Sequence, residues 1–319
     1  MMYFIRDRKI AAVSKNNVIG LDIAISAIKC VVLRDLGSSY QLTHYCIEAN
    51  SIAYENNPVK TGAELVASIK RMLARAEIAA KKCILALPDA LVNSKWVRID
   101  RSATENIEIA INLAVEKHIP YPPEAIYFDS QVFEVFDQNY LNVFLVACRK
   151  EQLDVRLEAI YQANLIPLFI EVNSHALQRA YTYLYPEHDD KSSLLLDIDA
   201  HHLTFLFLDK GRQIHSYSEA IVNFFVKAII NKIKLHIKRF YLSHPYIKLA
   251  KFFLIGSNLE VLQDLAREFG NFYGLNAEIV GRNQLLYYAE NLNEKMLDDL
   301  FPTLFLSYGL ALRGFMPCL

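Results

Sequence analysis

Apolar and polar positions follow two alternating registers along the 319 residues, and each change of register marks an element. Val18 to Leu33 opens with an apolar run closing on Asp22, crosses a turn of small residues around Ala24 and Ser26, and returns to an apolar run at Cys30. This predicts strand, acid, tight turn, strand. Tyr40 to Ala49 alternates with period two after the Gly37-Ser38-Ser39 turn, a third strand. From Gly62 to Ala80 the spacing becomes three and four, with Leu65, Ile69, Met72, Leu73 and Ala76 on one helical face. Lys82 to Leu87 reads as a short buried strand stopped by Pro88.

The texture then changes. Lys95 to Ile99 predicts a strand, and Ser102 to His118 a helix with Ser102 as N-cap and Glu105 as its capping-box partner. Pro120, Pro122 and Pro123 force an extended path. Strands at Ile126 to Val135 and Leu141 to Cys148 and a helix at Lys150 to Ala163 complete a βαββα module over 89–165. Ile166 to Val172 resumes the interrupted sheet, Ser174 to Leu184 is a helix, and Tyr185 to Lys191 is the best boundary. The opening pattern then returns: Leu194 to Ala200 is again strand, acid and turn, with Asp197 as the acid. Strands at His202 to Leu208 and Arg212 to Tyr217 follow, then a long helix from Glu219 to Leu242. A strand (Lys251 to Gly256), a helix (Leu259 to Phe269), a short strand (Ala277 to Val280) and a helical region (Glu294 to Arg313) end the chain.

Two halves, each opened by a strand ending in Asp, point to an α/β protein of two ribonuclease-H-like domains of the actin-like ATPase type. The expected division is a tail over 1–17, a first domain over 18–88 and 166–185, the insertion over 89–165, and a second domain over 192–319 with a reduced helical subdomain. Composition agrees: 53% hydrophobic and 22% charged residues suit a folded chain with a large core. A net charge of -1 gives no global attraction to nucleic acid. No apolar run approaches the roughly 18–20 residues of a membrane span. The start of the chain, with Arg6, Asp7, Arg8 and Lys9, does not read as a secretory signal. It reads as a frayed terminus, or as a segment lying on a membrane through Tyr3, Phe4 and Ile5. Five cysteines without a C-x-x-C pair argue against disulfides and zinc and for a reducing cytoplasm.

Six segments, in order, carry a resemblance. They are Gly20-Leu21-Asp22-Ile23 with Ser26 and Lys29; Ala86-Leu87-Pro88; Glu116 to Pro122; Val146 to Glu151; Ala176-Leu177 with Arg179-Ala180; and Gly309 to Arg313. From about Val18 to Phe315 the chain resembles the PilM family of type IV pilus assembly, itself similar to the cell-division protein FtsA. The resemblance implies a cytoplasmic protein peripheral to the inner membrane, reaching the membrane through its partner. It implies ATP with Mg²⁺ between the two domains, and the cytoplasmic tail of a PilN-like membrane protein in a groove between the first subdomain and the insertion. Assembly motor proteins are a further implied contact. Ile119, Pro120 and Tyr121 are the candidate partner residues, either shaping that groove or forming a structural loop.

For the nucleotide, the resemblance assigns Asp22 to Mg²⁺ through water, Ser26 and Lys29 to phosphate, Asp197 to the second phosphate loop, and Gly256 and Ser257 to the adenosine end. The bland reading of Lys29 is a solvent lysine. Asp22, Ser26 and Lys29 match the family pattern, but every element of the cleft is altered around them. Ala24 stands where the first loop wants glycine, and its Cβ obstructs close approach to phosphate. Asp199 replaces the second glycine, a repulsion of roughly 1–4 kcal/mol at about 4 Å. Asn173 occupies the place of a water-positioning glutamate and cannot take a proton. Ser218 to Val222 runs straight into the long helix where the helical subdomain should begin. The expectation is a vestigial cleft with no catalytic residue, no metal and no firmly held cofactor, in a scaffold that grips a PilN-like tail. The alternatives are an ATP-driven switch of the same machinery, or the matching component of a related secretion or DNA-uptake system. On the long helix, Lys227, Asn231, Lys234 and Lys238 form a stripe that suits anionic lipid, an acidic partner, or simply the solvated back of a core helix. His201 and His202, adjacent on a strand, point apart and do not suggest a shared ion.

Overall fold

The computed structural model describes residues 17–49, 58–100, 106–134, 140–200, 202–221, 225–273 and 276–316. The chain opens with β1 (Val18–Ile23), β2 (Ala27–Asp35), β3 (Tyr40–Ala49), α1 (Pro58–Arg75) and β4 (Lys82–Leu87). The insertion supplies β5 (Val92–Asp100), α2 (Ile107–His118), β6 (Ile126–Glu134), β7 (Tyr140–Arg149) and α3 (Lys150–Gln162). Then come β8 (Ile166–Val172), α4 (Asn173–Leu184), β9 (Ser192–Ile198), β10 (His202–Asp209), β11 (Arg212–Ala220), α5 (Val226–Ser243), β12 (Leu249–Gly256) and α6 (Leu259–Tyr273). Last are β13 (Ala277–Ile279), β14 (Leu286–Tyr288) and α7 (Glu294–Arg313).

The strands form three sheets, ordered β14-β3-β2-β1-β4-β8, β11-β10-β9-β12-β13 and β5-β7-β6. In the first, β1, β2 and β3 are an antiparallel meander, and β1, β4 and β8 run parallel. The second repeats this plan: β9, β10 and β11 antiparallel, β9, β12 and β13 parallel. This duplicated α/β arrangement is the actin-like fold. β1 and β9 are nearly continuous apolar runs because each sits mid-sheet with both faces covered.

Several elements depart from the periodicity. The first helix of the insertion starts at Ile107, where the Asn106 side chain accepts from the backbone N–H groups of Glu108 and Ile109. The expected cap, Ser102 with Glu105, lies outside the described residues. Glu219 is not helical: β11 runs on to Ala220, pairing His202 with Ala220 and Leu203 with Glu219, and α5 starts only at Val226. Phe225 is its N-cap and is 73% exposed.

The larger correction concerns the end of the chain. β14 adds to the first sheet beside β3, and α7 lies against β1, β2 and α4. The stretch expected within the second domain therefore closes the first. Its approach is close enough to exclude side chains: a Cβ on Gly20 would stand 1.9 Å from the Ser307 carbonyl oxygen, and one on Gly309 2.0 Å from that of Ala176. The turns of α7 from Phe301 to Arg313 are buried on all sides, the condition of a helix through the middle of a core.

Candidate functional site

β1 and β2 face each other with Asp22 opposite Lys29, so pairing alone brings acid and base together. The Lys29 ammonium lies 3.1 Å from Asp22 and 4.0 Å from Asp199, with little of either Lys29 or Asp22 exposed. Asp199 follows β9, in the turn where its N–H donates to the His202 carbonyl. Lys29 is thus not a solvent lysine. It is a buried ammonium of the first lobe reaching a carboxylate of the second.

The cavity around it holds about 300 Å³. Asp22, Ala24, Lys29, Asp89 and Asn173 line it from the first lobe, Asp197, Asp199 and Gly256 from the second, and Pro302 and Thr303 from α7. Burial works against charge on Lys29, but Asp22, Asp199 and Asp197 outweigh it and hold the ammonium above its ordinary value. Burial raises Asp22, with Lys29 opposing and Asp199 reinforcing. Asp197 is pushed up to about 7 by burial, with Lys29 opposing and Asp199, Asp22 and Asp89 adding. Asp89 is raised by burial and eased by hydrogen bonds from Ser174. The Ser174 N–H at the start of α4 donates to its carboxylate at 3.1 Å. A helix N-terminus turned toward a cavity is a natural anion seat, and here the chain's own Asp89 takes it.

The fit to a magnesium nucleotide follows from these neighbours. Of the donors on this wall, Lys29 and the start of α4 already face internal carboxylates, and the buried Arg156 guanidinium, which also lines it, donates to the Gln152 carbonyl. A Cβ at Ala24 narrows the first turn, and Asp199 adds negative charge at the second. A triphosphate of the same sign entering this wall meets repulsion rather than a cradle. No cluster of three or more His, Cys, Asp or Glu suited to a metal ion occurs among the described residues. The residues do not suit the group that the fold implies.

The remaining candidates fall differently. Ser26 is half-buried and Ser257 exposed, and neither lines the cavity. Gly256 does line it, but its missing side chain has a packing cause: a Cβ there would stand 2.6 Å from the Ile198 carbonyl oxygen. Its own carbonyl accepts from Thr303 Oγ1 at 3.3 Å. Asn173 opens α4 on the cavity wall.

Glu171, nearest in sequence to the missing glutamate, faces away into the core. Arg179 pairs with it through two nitrogens at 2.6 and 2.7 Å, and Arg313 Nε lies 3.1 Å away. The resemblance segments containing Arg179 and Arg313 are therefore joined in space by an acid that spacing could not connect to them.

A second groove, about 260 Å³, runs between the insertion and both lobes. Val92, Phe144 and Val146 line it from the insertion, Val172 and His175 from the first lobe, and Tyr217 from the second. None of Ile119, Pro120 and Tyr121 is part of it. Ile119 is buried in the core of the insertion, Pro120 is exposed, and Tyr121 is half-buried with the Arg149 guanidinium 6.0 Å above its ring. Alternation along β5 and β7 could have indicated the groove, because Ser94, Phe144 and Val146 occupy the sheet face that α2 leaves uncovered.

Comparison with known proteins adds to this geometry. The sequence model of the family described as type IV pilus assembly protein PilM matches residues 20–216. A solved structure described as a PilM-PilN type IV pilus biogenesis complex is similar at a TM-score of 0.80 and 19% identity, over 96% of this chain and 100% of that one. The ethanolamine utilization protein EutJ from Carboxydothermus hydrogenoformans is similar at 0.54 and 13% identity, over 97% of this chain and 94% of that one.

Proposed function

The chain belongs to the PilM family of type IV pilus assembly proteins, and from that premise we propose that it is a scaffold of the pilus assembly platform that works without hydrolysing ATP. The observation that carries this reading is the Lys29 ammonium, 3.1 Å from Asp22 and 4.0 Å from Asp199. The cation that would meet a phosphate instead ties the two lobes together through carboxylates of the same chain. The protein sits on the cytoplasmic face of the inner membrane and takes the tail of a PilN-like membrane protein in the groove lined by Val92, Phe144, Val146, Val172 and Tyr217. Apolar side chains of the tail supply affinity there, and backbone groups of an extended segment supply register. Asp22 and Asp197 both line the interlobe cavity, which favours a second reading, an ATP-responsive switch.

Paired titrations of the purified protein separate the two. The tail peptide of a PilN-like partner is expected to release or absorb heat and to raise the melting temperature. Magnesium-ATP is expected to leave that temperature unchanged within about 1 °C, whereas a hundredfold excess over Kd would stabilise by about 2.7 kcal/mol. ATP stabilisation abolished by Asp22→Ala would replace the scaffold with the switch, and silence toward the peptide would remove the groove assignment.

A further inference from the structure

The ridge of the second lobe formed by α5 has two contrasting sides. Its inner side is a core face: Ile229, Ile233, Ile237 and Phe240 are buried against the second sheet. Its outer side carries Lys227, Lys234, Lys238 and Arg239, and α5 contains no acidic residue. Lys227 and Lys238 are exposed and Lys234 partly so. At spacings of seven and four these lysines fall on one stripe.

Bulky apolar groups share that side. Leu235 is 46% exposed and Leu242, seven residues on, is 76% exposed. Phe225, 73% exposed, stands at one end of the helix, and Tyr246, 97% exposed, stands just past the other, two residues before Lys248. The neighbouring α6 carries Glu260, Asp264 and Glu268, so the positive charge is confined to the α5 ridge.

We propose that this ridge docks the protein directly on an anionic lipid surface, in addition to any contact made through a membrane-embedded partner. The match is chemical. Lysine stems lie along apolar surface while their ammonium groups reach headgroup phosphates. Leucine and aromatic side chains that stand clear of the protein enter the headgroup and upper acyl region. An acidic protein would satisfy the lysines but would need a concave seat for Leu242 and Tyr246, which a bilayer provides by yielding. α5 remains a core helix of its lobe, so docking requires no unfolding and is reversible.

The test is co-sedimentation of the full chain, without partner, with vesicles rich in phosphatidylglycerol and with pure phosphatidylcholine vesicles. Binding is expected only to the anionic vesicles. It is expected to weaken as salt rises from about 0.1 to 1 M and the screening length falls from roughly 10 to 3 Å. Each basic residue near such a surface is worth about fivefold in partitioning. The triple variant Lys227→Gln, Lys234→Gln, Lys238→Gln should therefore lose about a hundredfold. Leu242→Ser with Tyr246→Ser should lose on the order of tenfold, since burial of their apolar surface drives insertion. All five positions are at least partly exposed, so melting temperatures should not move. Equal binding to neutral vesicles, no binding to anionic ones, or unchanged binding by the triple variant overturns the proposal. In the last case the basic residues Arg6, Arg8 and Lys9 would carry the binding. Capture of a polyglutamate peptide without vesicle binding overturns it in favour of an acidic protein.

Discussion

Two clusters of buried charge hold this molecule together, and they are built in opposite senses. Around Glu171, two guanidiniums meet one carboxylate, at 2.6–2.7 Å for Arg179 and 3.1 Å for Arg313. Around Lys29, one ammonium faces Asp22 and Asp199, with Asp197 and Asp89 on the same cavity wall and the Arg156 guanidinium as its second cation, so carboxylates still outnumber cations. The surplus cation in the first cluster is absorbed by neutral groups. Arg179 donates to the Gly309 carbonyl, Arg313 donates to that of Met316, and the Arg313 guanidinium lies 4.4 Å over the Phe169 ring. Carbonyl dipoles and aromatic faces welcome cations, so a buried positive excess can be made quiet. A buried negative excess needs donors, and around the cavity the Ser174 N–H serves Asp89 while Lys29 is shared. The remainder appears as protonation, with Asp197 raised to about 7. One cluster is closed by internal partners, and the other leaves carboxylates in excess on the wall of a cavity.

The sharpest way to break this contrast is Glu171→Ala. It strands two buried guanidiniums, and breaking a buried ion pair typically costs about 3–5 kcal/mol. Chemical denaturation should show a loss of that size, with Glu171→Gln losing less. A loss below ~1 kcal/mol would mean that the triad is ornamental.

Asp197→Asn tests the other cluster, with opposite sign. The folded protein holds the Asp197 proton more tightly than the unfolded chain, where the ordinary value is 3.8. Its stabilising contribution is therefore present below about 3.8 and is lost as the pH rises toward 7. Asn cannot ionise, so the variant should be ~1–2 kcal/mol more stable than the parent at pH 8 and nearly equal to it at pH 4. Parallel denaturation curves at the two pH values decide the matter; destabilisation at pH 8 contradicts the negative excess.

The smallest effect is expected from Ala24→Gly combined with Asp199→Gly, which clears a methyl group and a carboxylate from the phosphate side. Stability should change by less than ~1 kcal/mol, and a melting shift with magnesium-ATP should appear that the parent lacks. An equal shift in both proteins would show that these substitutions never closed the cleft.

How far the sequence reaches can be judged from single elements. β1 and β9 were legible because each is an apolar run ending in Asp, but the pairing of Asp22 with Lys29 was not, because it depends on the length of the turn that joins the two strands. The inserted module was legible from its change of texture. The start of α5 was not, because Ser218 and Glu219 suit a helix locally and are held in β11 by pairing with β10. Glu219 then faces the helix it was expected to join, 3.0 Å from Lys232. Nor was the groove, whose lining comes from three separated parts of the chain. For α7 a signal did exist, since a helix apolar on every side announces burial between layers. It still did not say which layers.

Local spacing by itself determined the order of strands and helices apart from β14, the duplication and the insertion, while the family resemblance marked Ala24 and Asp199 as standing in for glycine at the two turns. These depend on neighbours within a few residues, where periodicity and turn chemistry act. Tertiary structure alone decided that α7 closes the first lobe, that Gly256 serves packing, that Glu171 joins Arg179 to Arg313, and that Lys29 spans the lobes to Asp199. Those outcomes depend on which surfaces exclude water together and on how many carboxylates share one ammonium, and such sums are taken over space rather than along the chain.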